Sequence, residues 1–103
     1  MRNLAETNWT DNPTEGVVIG IIIEKPTEIL GLKVRSAQTT IIDSGKRKWR
    51  VRTSYRHNPH LASQLLGYEV GQKLKITGVT GELCRWAWGN AKRQIIPDSI
   101  EVK

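Results

Sequence analysis

Basic and aromatic side chains alternate along one short stretch of this 103-residue chain, residues 46–56, which holds six of the sixteen lysines and arginines and no acid. Successive side chains of a β-strand point to opposite faces. One face would therefore carry Trp49, Val51, Thr53 and Tyr55, and the other Lys48, Arg50, Arg52 and Arg56. Such a strand suits a sheet with one face on a core and the other on a polyanion, although an ordinary half-buried strand with a charged outer face is the alternative.

Residues that could support catalysis or bind a metal do not form a recognisable pattern. A metal site needs several nitrogen or sulfur ligands at characteristic spacing, and His57, His60 and the single cysteine, Cys84, lack it. The chain has no glycine-rich phosphate loop of the Walker type and no nucleophile elbow. We therefore expect no enzyme activity, no metal and no cofactor.

The overall charge points to an acidic partner. The formal net charge is +6 and the isoelectric point is about 9.8, which favours nucleic acid over an anionic membrane. No apolar run reaches the ~18 residues of a membrane-spanning helix, and the N-terminus has no apolar segment of the signal-peptide kind. We expect a cytoplasmic, nucleoid-associated protein with no membrane partner, in which residues 1–14 are a flexible N-terminal leader and residues 15–103 form one domain.

The first predicted strand, residues 16–23, is apolar at both parities. Strands with one wet face normally alternate, so we expect both faces to be buried, one on the core and the other on a second subunit. This predicts a homodimer or homotetramer through residues 17–23. Residues 24–31, which contain Pro26 and Gly31, are predicted to be a connecting loop.

The remaining pattern supplies four more strands and one short helix. Residues 32–42 form a predicted second strand, with Leu32 and Val34 inward, Lys33 and Arg35 outward, and a bulge near residues 36–38. A turn at residues 43–45 joins it to the basic strand. The other predicted elements are a helix that begins at Asn58-Pro59 and stops at Gly67, a fourth strand at 72–80 with a bend at Gly78, a loop at 81–93, and a fifth strand at 94–102 interrupted by Pro97.

This order of elements predicts an all-β protein. Three strands, a short helix and two strands are the order of the OB-fold, a five-stranded Greek-key barrel with a helix between strands 3 and 4. In that fold the face of strands 2 and 3, together with the 1–2 and 4–5 loops, binds oligonucleotides. The basic strand and the Trp-rich loop of this chain fall on that surface.

Three motifs resemble the bacterial single-stranded-DNA-binding protein family, including its shorter relative, primosomal replication protein B. They are Lys48-Trp49-Arg50-Val51-Arg52, the glycine-bounded run from Val70 to Gly78, and Arg85-Trp86-Ala87-Trp88. The chain ends at Lys103, directly after the last predicted strand, and in this respect resembles the tail-less members. The resemblance implies that Trp49, Tyr55 and either Trp88 or Trp86 stack on bases.

Strand parity and the resemblance disagree about Trp49 and Tyr55. If these rings turned outward, Arg50 and Arg52 would turn inward, and an unpaired buried ion costs several kcal/mol. Parity therefore places the rings against the core, whereas the resemblance places them on bases. The burial cost favours the core for the middle of the strand, and a bulge could turn one end outward.

We predict a non-catalytic protein that binds single-stranded DNA with little sequence preference. An OB-fold adaptor for a replication or primosome protein, or an RNA-binding OB domain, are the alternatives. The residues predicted to contact phosphates are Lys33, Arg35, Lys48, Arg50, Arg52, Lys73, Lys75, Arg85 and Arg93, and those predicted to stack on bases are Trp49, Tyr55, Trp86 and Trp88.

Overall fold

The computed structural model describes residues 14–30, 35–82 and 93–103. In chain order its elements are β1 (Thr14–Leu30), β2 (Arg35–Asp43), β3 (Lys48–Ser54), α1 (Pro59–Leu66), β4 (Lys73–Glu82) and β5 (Arg93–Val102). The strands form a closed barrel in the order β1-β2-β3-β5-β4. Every pairing is antiparallel except that of β3 with β5, which is parallel. The predicted OB-fold, with its helix between the third and fourth strands, is confirmed.

The core follows from the alternation of apolar residues along the strands. Each strand contributes a row of inward side chains, and the helix closes one end of the barrel. The buried apolar residues include Val18, Ile22, Ala37, Ile41, Val51, Leu61, Ala62, Leu65, Leu74, Ile76, Ile95 and Ile100. Side chains of the opposite parity are thereby held on the outer surface, which fixes the row to which each candidate binding residue belongs.

The helix begins and ends where the sequence predicts. The Asn58 side-chain oxygen accepts a hydrogen bond from the Leu61 N–H at 3.1 Å, and Pro59 occupies the first helical position, where its missing N–H has no consequence. Gly67 is the C-cap residue and keeps a right-handed conformation with φ −84°. Among the described residues, no helix is long and apolar enough to cross a membrane.

A tight turn joins β2 and β3, as predicted. The Lys46 N–H donates to the Asp43 carbonyl at 3.0 Å, and the Asp43 N–H donates to the Arg47 carbonyl at 3.0 Å. Lys46, and not the neighbouring glycine, adopts the left-handed conformation, with φ 61°. The short turn places Asp43 beside the start of β3, where its carboxylate meets Trp49.

The predicted loop at residues 24–31 is wrong, because β1 continues as one strand to Leu30. Its pairing with β2 shifts register between Ile22 and Glu24 and again between Glu24 and Thr27. Pro26 lies in the second irregularity and is buried; a proline is tolerated there because a bulged position needs no ladder hydrogen bond. The irregularity predicted at residues 36–38 of the second strand is therefore on the neighbouring strand.

A bend at Gly78 lets β5 pass its proline without a break. The pairing of β4 with β5 shifts register between Thr77 and Gly78, and Gly78 lies opposite Pro97. A Cβ atom on Gly78 would be 2.0 Å from the Ile96 carbonyl oxygen, so no other residue fits this close approach of two backbones. The predicted bend is confirmed, and Pro97 does not interrupt the strand.

The outer side chains of β1 form an exposed apolar surface, here called the β1 face, made by Val17, Ile19 and Ile21. They are 55%, 42% and 43% exposed, whereas Val18 and Ile22 on the other parity are buried. Within one chain no described strand or helix covers the outer side, so the predicted burial of that side depends on a second subunit. Whether a second subunit covers it remains a prediction.

Candidate nucleic-acid interface

The alternation of β3 places its rings and its cations on different rows. Val51 and Thr53 are buried in the barrel, and Trp49 and Tyr55, on the same row, are half-buried and pack against the core. The parity interpretation of the two rings is thus confirmed for the described structure. Tyr55 follows Trp49 by six residues, about 20 Å of extended backbone at ~3.3 Å per residue, so one aromatic side chain lies near each end of β3.

Trp49 is held by a carboxylate at its edge and an arginine near its face. Its Nε1–H donates to Asp43 Oδ2 at 2.9 Å, while the other carboxylate oxygen accepts from the Arg47 N–H at 2.9 Å. Partial burial raises the pKa of Asp43, but the hydrogen bonds from Trp49 and from the turn outweigh it, so that the pKa lies below its ordinary value. Arg93, the cross-strand neighbour on β5, has its guanidinium 5.8 Å from the ring centroid.

Tyr55 has an arginine on its face at the other end of β3. The Arg35 guanidinium carbon lies 4.2 Å from the ring centroid, within the range of cation–π attraction. The Tyr55 N–H donates to the Arg35 carbonyl at 3.0 Å, which continues the pairing of β2 with β3. Arg35 is exposed as predicted. The pairing of β2 with β3 has no bulge, so Arg35 lies on the same row as the buried Ala37. It is exposed because this row continues beyond the last core residue.

Arg50 and Arg52 belong to the outward row of β3, as the alternation predicts, and both are half-buried. Arg50 Nε donates to Gln94 Oε1 on β5, and Arg52 Nε donates to Ser36 Oγ on β2 at 3.3 Å. Burial, and then repulsion by Arg52, lower the pKa of Arg50 to about 10. The two guanidinium groups therefore lie close to polar side chains of the neighbouring strands.

Gln94 is the polar residue of this surface that the sequence analysis missed. It is fully buried on the outward row beside Arg50, and its Nε2 has no hydrogen-bond partner among the described residues. A guanidinium only donates hydrogen bonds, so the amide oxygen must face Arg50 and the amide nitrogen is left over. No local signal marks Gln94, because only the parallel pairing of β3 with β5 brings it beside a residue 44 positions earlier.

We call the group formed by Arg35, Trp49, Arg50, Arg52, Tyr55 and Arg93 the β3 strip. It gathers six of the predicted site residues on three adjacent strands, β2, β3 and β5. Lys48 is exposed at the start of the same strand. Glu28 of β1, which contacts Arg35, and Glu82 of β4, whose carboxylate lies 3.3 Å from Arg93, were not predicted to contribute.

Lys73 and Lys75 lie on another side of the barrel. Lys73 stands opposite Ile21 of β1, and Lys75 stands between Ile19 of β1 and Glu101 of β5. Their strand, β4, is separated from β3 by β5. The alternation of β4 correctly places both lysines outward, but they adjoin the β1 face, and their proposed contact with phosphates remains a prediction.

Four predicted site residues lie outside the described part of the chain. They are Lys33, Arg85, Trp86 and Trp88, and their predicted roles are neither supported nor contradicted here. Cys84 and the predicted leader, with Trp9, lie outside it too. Over residues 14–30, 35–82 and 93–103, no group of three or more histidine, cysteine or acidic side chains could hold a metal ion.

Comparisons with known proteins place the barrel among known folds. No protein-family model matches the chain, and no curated protein matches it in sequence. The crystal structure of a small single-stranded DNA-binding protein from Streptomyces coelicolor is similar, with a TM-score of 0.68 and 13% identity over 90% of this chain and 96% of that one. Rim1, a mitochondrial single-stranded DNA-binding protein of S. cerevisiae, gives a TM-score of 0.65 and 12% identity over 90% and 97% of the two chains. The chain thus shares the OB-fold of these proteins along nearly its whole length.

Proposed function

We propose that this protein binds single-stranded DNA through the β3 strip, without catalysis and with little sequence preference. The observation that carries the proposal is the composition of one strand: a half-buried aromatic ring stands at each end of β3, and two arginines lie on its outward row between them. The rings that can stack on bases lie at the two ends of the inward row, and the arginines that can meet phosphates lie on the outward row between them, over about 20 Å of backbone. This combination suits a single strand, whose bases are free to stack.

The energetics favour affinity over specificity. Stacking of one base on an aromatic side chain contributes ~1–3 kcal/mol and tolerates any base, because every base has a π-face. Arginine–phosphate contacts add a term that is independent of sequence and decreases as salt rises. Both rings are half-buried against the core, so we expect each of Trp49 and Tyr55 to contact a base only with its exposed part.

The two structural neighbours add independent support. Both are described as single-stranded DNA-binding proteins, and each matches this chain over nearly all of its own length. Identity is only 12–13%, so the shared fold supports the proposal without assigning any residue a role. DNA as the ligand also makes the cytoplasm, at the nucleoid, the proposed site of action.

Titration with an unstructured oligothymidine, followed by intrinsic Trp fluorescence, tests the proposal. Binding should quench the emission and weaken steeply with salt, by ~100-fold between about 50 and 200 mM if roughly five phosphates are neutralised. Competition with oligouridine tests the RNA-binding alternative. If the protein is an RNA-binding domain, oligouridine should displace it from DNA at a lower concentration than oligothymidine does. No binding at 50 mM salt would refute the proposal and leave the adaptor alternative.

We further propose that the protein acts as a homodimer, or a larger homo-oligomer, through the first half of β1. Among the described strands, β2 ends opposite Gly20, so residues 16–19 form strand pairs only with β4. The other edge of residues 16–19, which no described strand pairs with, runs beside the exposed Val17 and Ile19. An apolar strand with an unpaired edge is a ready site for pairing with another chain, and a second copy offers the same edge in antiparallel orientation.

A further inference from the structure

Each aromatic side chain of the β3 strip has the same two neighbours. At one end Arg35 lies on the Tyr55 ring and pairs with Glu28; at the other end Arg93 lies near the Trp49 ring and pairs with Glu82. The two sets share no residue, and their arginines and glutamates lie on four different strands. The repeated arrangement of ring, arginine and glutamate indicates that the glutamates have a common role.

Strand pairing, and not chance contact of long side chains, brings the members of each set together. Arg93 is the direct cross-strand partner of both Trp49 on β3 and Glu82 on β4. Arg35 is hydrogen-bonded through its backbone to Tyr55, and Glu28 lies on the strand that pairs with β2. Side chains at such positions meet without large rearrangement of the backbone.

A carboxylate on an arginine occupies the position that a phosphate would take. Both anions accept hydrogen bonds from the guanidinium fork in the same geometry. The Glu28 hydrogen bond also raises the pKa of Arg35. The pairs are largely exposed, with side-chain exposures of 57% and 35% for Arg35 and Glu28 and of 35% and 50% for Arg93 and Glu82. Exposed pairs of this kind are weak, and an incoming polyanion can therefore replace the carboxylate.

We propose that Glu28 and Glu82 hold Arg35 and Arg93 over the two rings in the free protein, and that phosphates of the bound strand displace both carboxylates. This inference rests on the proposed function. The glutamates keep each arginine oriented beside its ring before binding, and they lower the affinity for nucleic acid because every contact must first displace them. An isolated phosphate can make only one of these two arginine contacts, whereas a strand that reaches both ends of β3 can make both.

Fluorescence anisotropy of a labelled oligothymidine at about 100 mM salt tests the inference with charge-matched variants. The double variant Glu28→Gln/Glu82→Gln removes two negative charges beside the arginines. The control, Glu69→Gln/Glu101→Gln, removes two elsewhere: Glu69 precedes β4, and Glu101 lies seven residues beyond Gln94, about 23 Å along β5. Screening over ~10 Å limits what distant charges contribute.

We expect the first variant to bind about tenfold more tightly than the parent and the control to bind less than about twofold more tightly. We also expect the gain from Glu28→Gln to vanish in an Arg35→Gln background. Equal gains in both double variants, or a gain that survives Arg35→Gln, would reduce the effect to net charge and overturn the inference. Unchanged affinity of the first variant would also overturn the inference. Failure of the parent to bind is a different result, which refutes the proposed function itself.

Discussion

The β3 strip and the β1 face lie on different parts of the same barrel and have opposite chemistry. The β3 strip joins the outward arginines of β3 to residues at the ends of inward rows, whereas the β1 face is a single outward row. On the β3 strip the arginines contact rings, an amide, a hydroxyl and carboxylates. On the β1 face, Ile19 and Ile21 are exposed beside Lys75 and Lys73, their cross-strand neighbours on β4. Outward cations occur on both surfaces, so charge alone does not distinguish them.

The neighbours of the cations make the difference. A guanidinium near an aromatic ring offers stacking and phosphate contact together, which suits a nucleic-acid strand. Lysines beside exposed isoleucines can cover apolar surface with their stems and keep their ammonium groups in water, which suits the rim of a protein interface. We infer that one surface meets DNA and the other meets a second copy of the chain, and the following predictions test that division.

The largest effect is expected from a charge on the β1 face. Ile19→Asp should weaken self-association by roughly 1,000-fold, because an unpaired carboxylate buried at an interface costs several kcal/mol. Sedimentation equilibrium at tens of micromolar measures this. Ile19 is 42% exposed in the single chain, so the fold should survive and DNA affinity per chain should change less than about threefold. A parent protein that is already monomeric would sink the dimer proposal.

The next effect comes from removing two cations from each surface. Arg50→Gln/Arg52→Gln should lower oligothymidine affinity by about 100-fold, about tenfold for each lost charged hydrogen bond, and should reduce the salt slope. Lys73→Gln/Lys75→Gln removes the same charge and should lower affinity less than about threefold. Titrations at two salt concentrations compare them. Equal losses would mean that net charge, and not the β3 strip, sets affinity.

A smaller effect, on stability, is expected at the ring that belongs to both core and strip. Trp49→Ala should lower the free energy of unfolding by about 2–3 kcal/mol, below the ~3–5 of a fully buried tryptophan, because the ring is half-buried against the core. Urea unfolding followed by circular dichroism measures it. If the variant unfolds like the parent but loses DNA affinity, the ring serves the ligand and not the core.

The smallest effect is a pH dependence at the same ring. The pKa of Asp43 is lowered in the folded protein, so its contribution to stability is present above the ordinary carboxyl pKa and is lost as pH falls through the folded value. The contribution should be ~0.5 kcal/mol or less, because water still reaches and screens this partly buried group. Between pH 5 and pH 2, about the range over which an Asp carboxyl titrates, the melting temperature of the parent should fall more than that of Asp43→Asn. Identical pH dependence would show that the carboxylate does not hold Trp49.

Local patterns predicted what depends on neighbours in sequence. Asn58 and Pro59 start the helix where predicted, since capping involves only the next few residues. The alternation of β3 gave the rows of Trp49 and Arg50 correctly, because side chains alternate in any strand. The order of elements was sufficient for the OB-fold. In β1 the local signal failed, because a proline usually ends a strand, and only pairing with β2 reveals that Pro26 lies at a bulge.

The sequence by itself therefore determined the order of the elements, most of their bounds and rows, and the basic character of the chain. The tertiary structure decided which rows are neighbours. Closure of the barrel puts β5 beside β3, which brings Arg93 to Trp49 and Gln94 to Arg50. It also puts β4 beside β1, so that Lys75 lies next to Ile19 and away from the β3 strip. Alternation has a period of two residues and is fixed by local backbone geometry, whereas pairing and register are fixed by contacts between residues distant in the chain. A site built across three strands could only be seen once those contacts had formed.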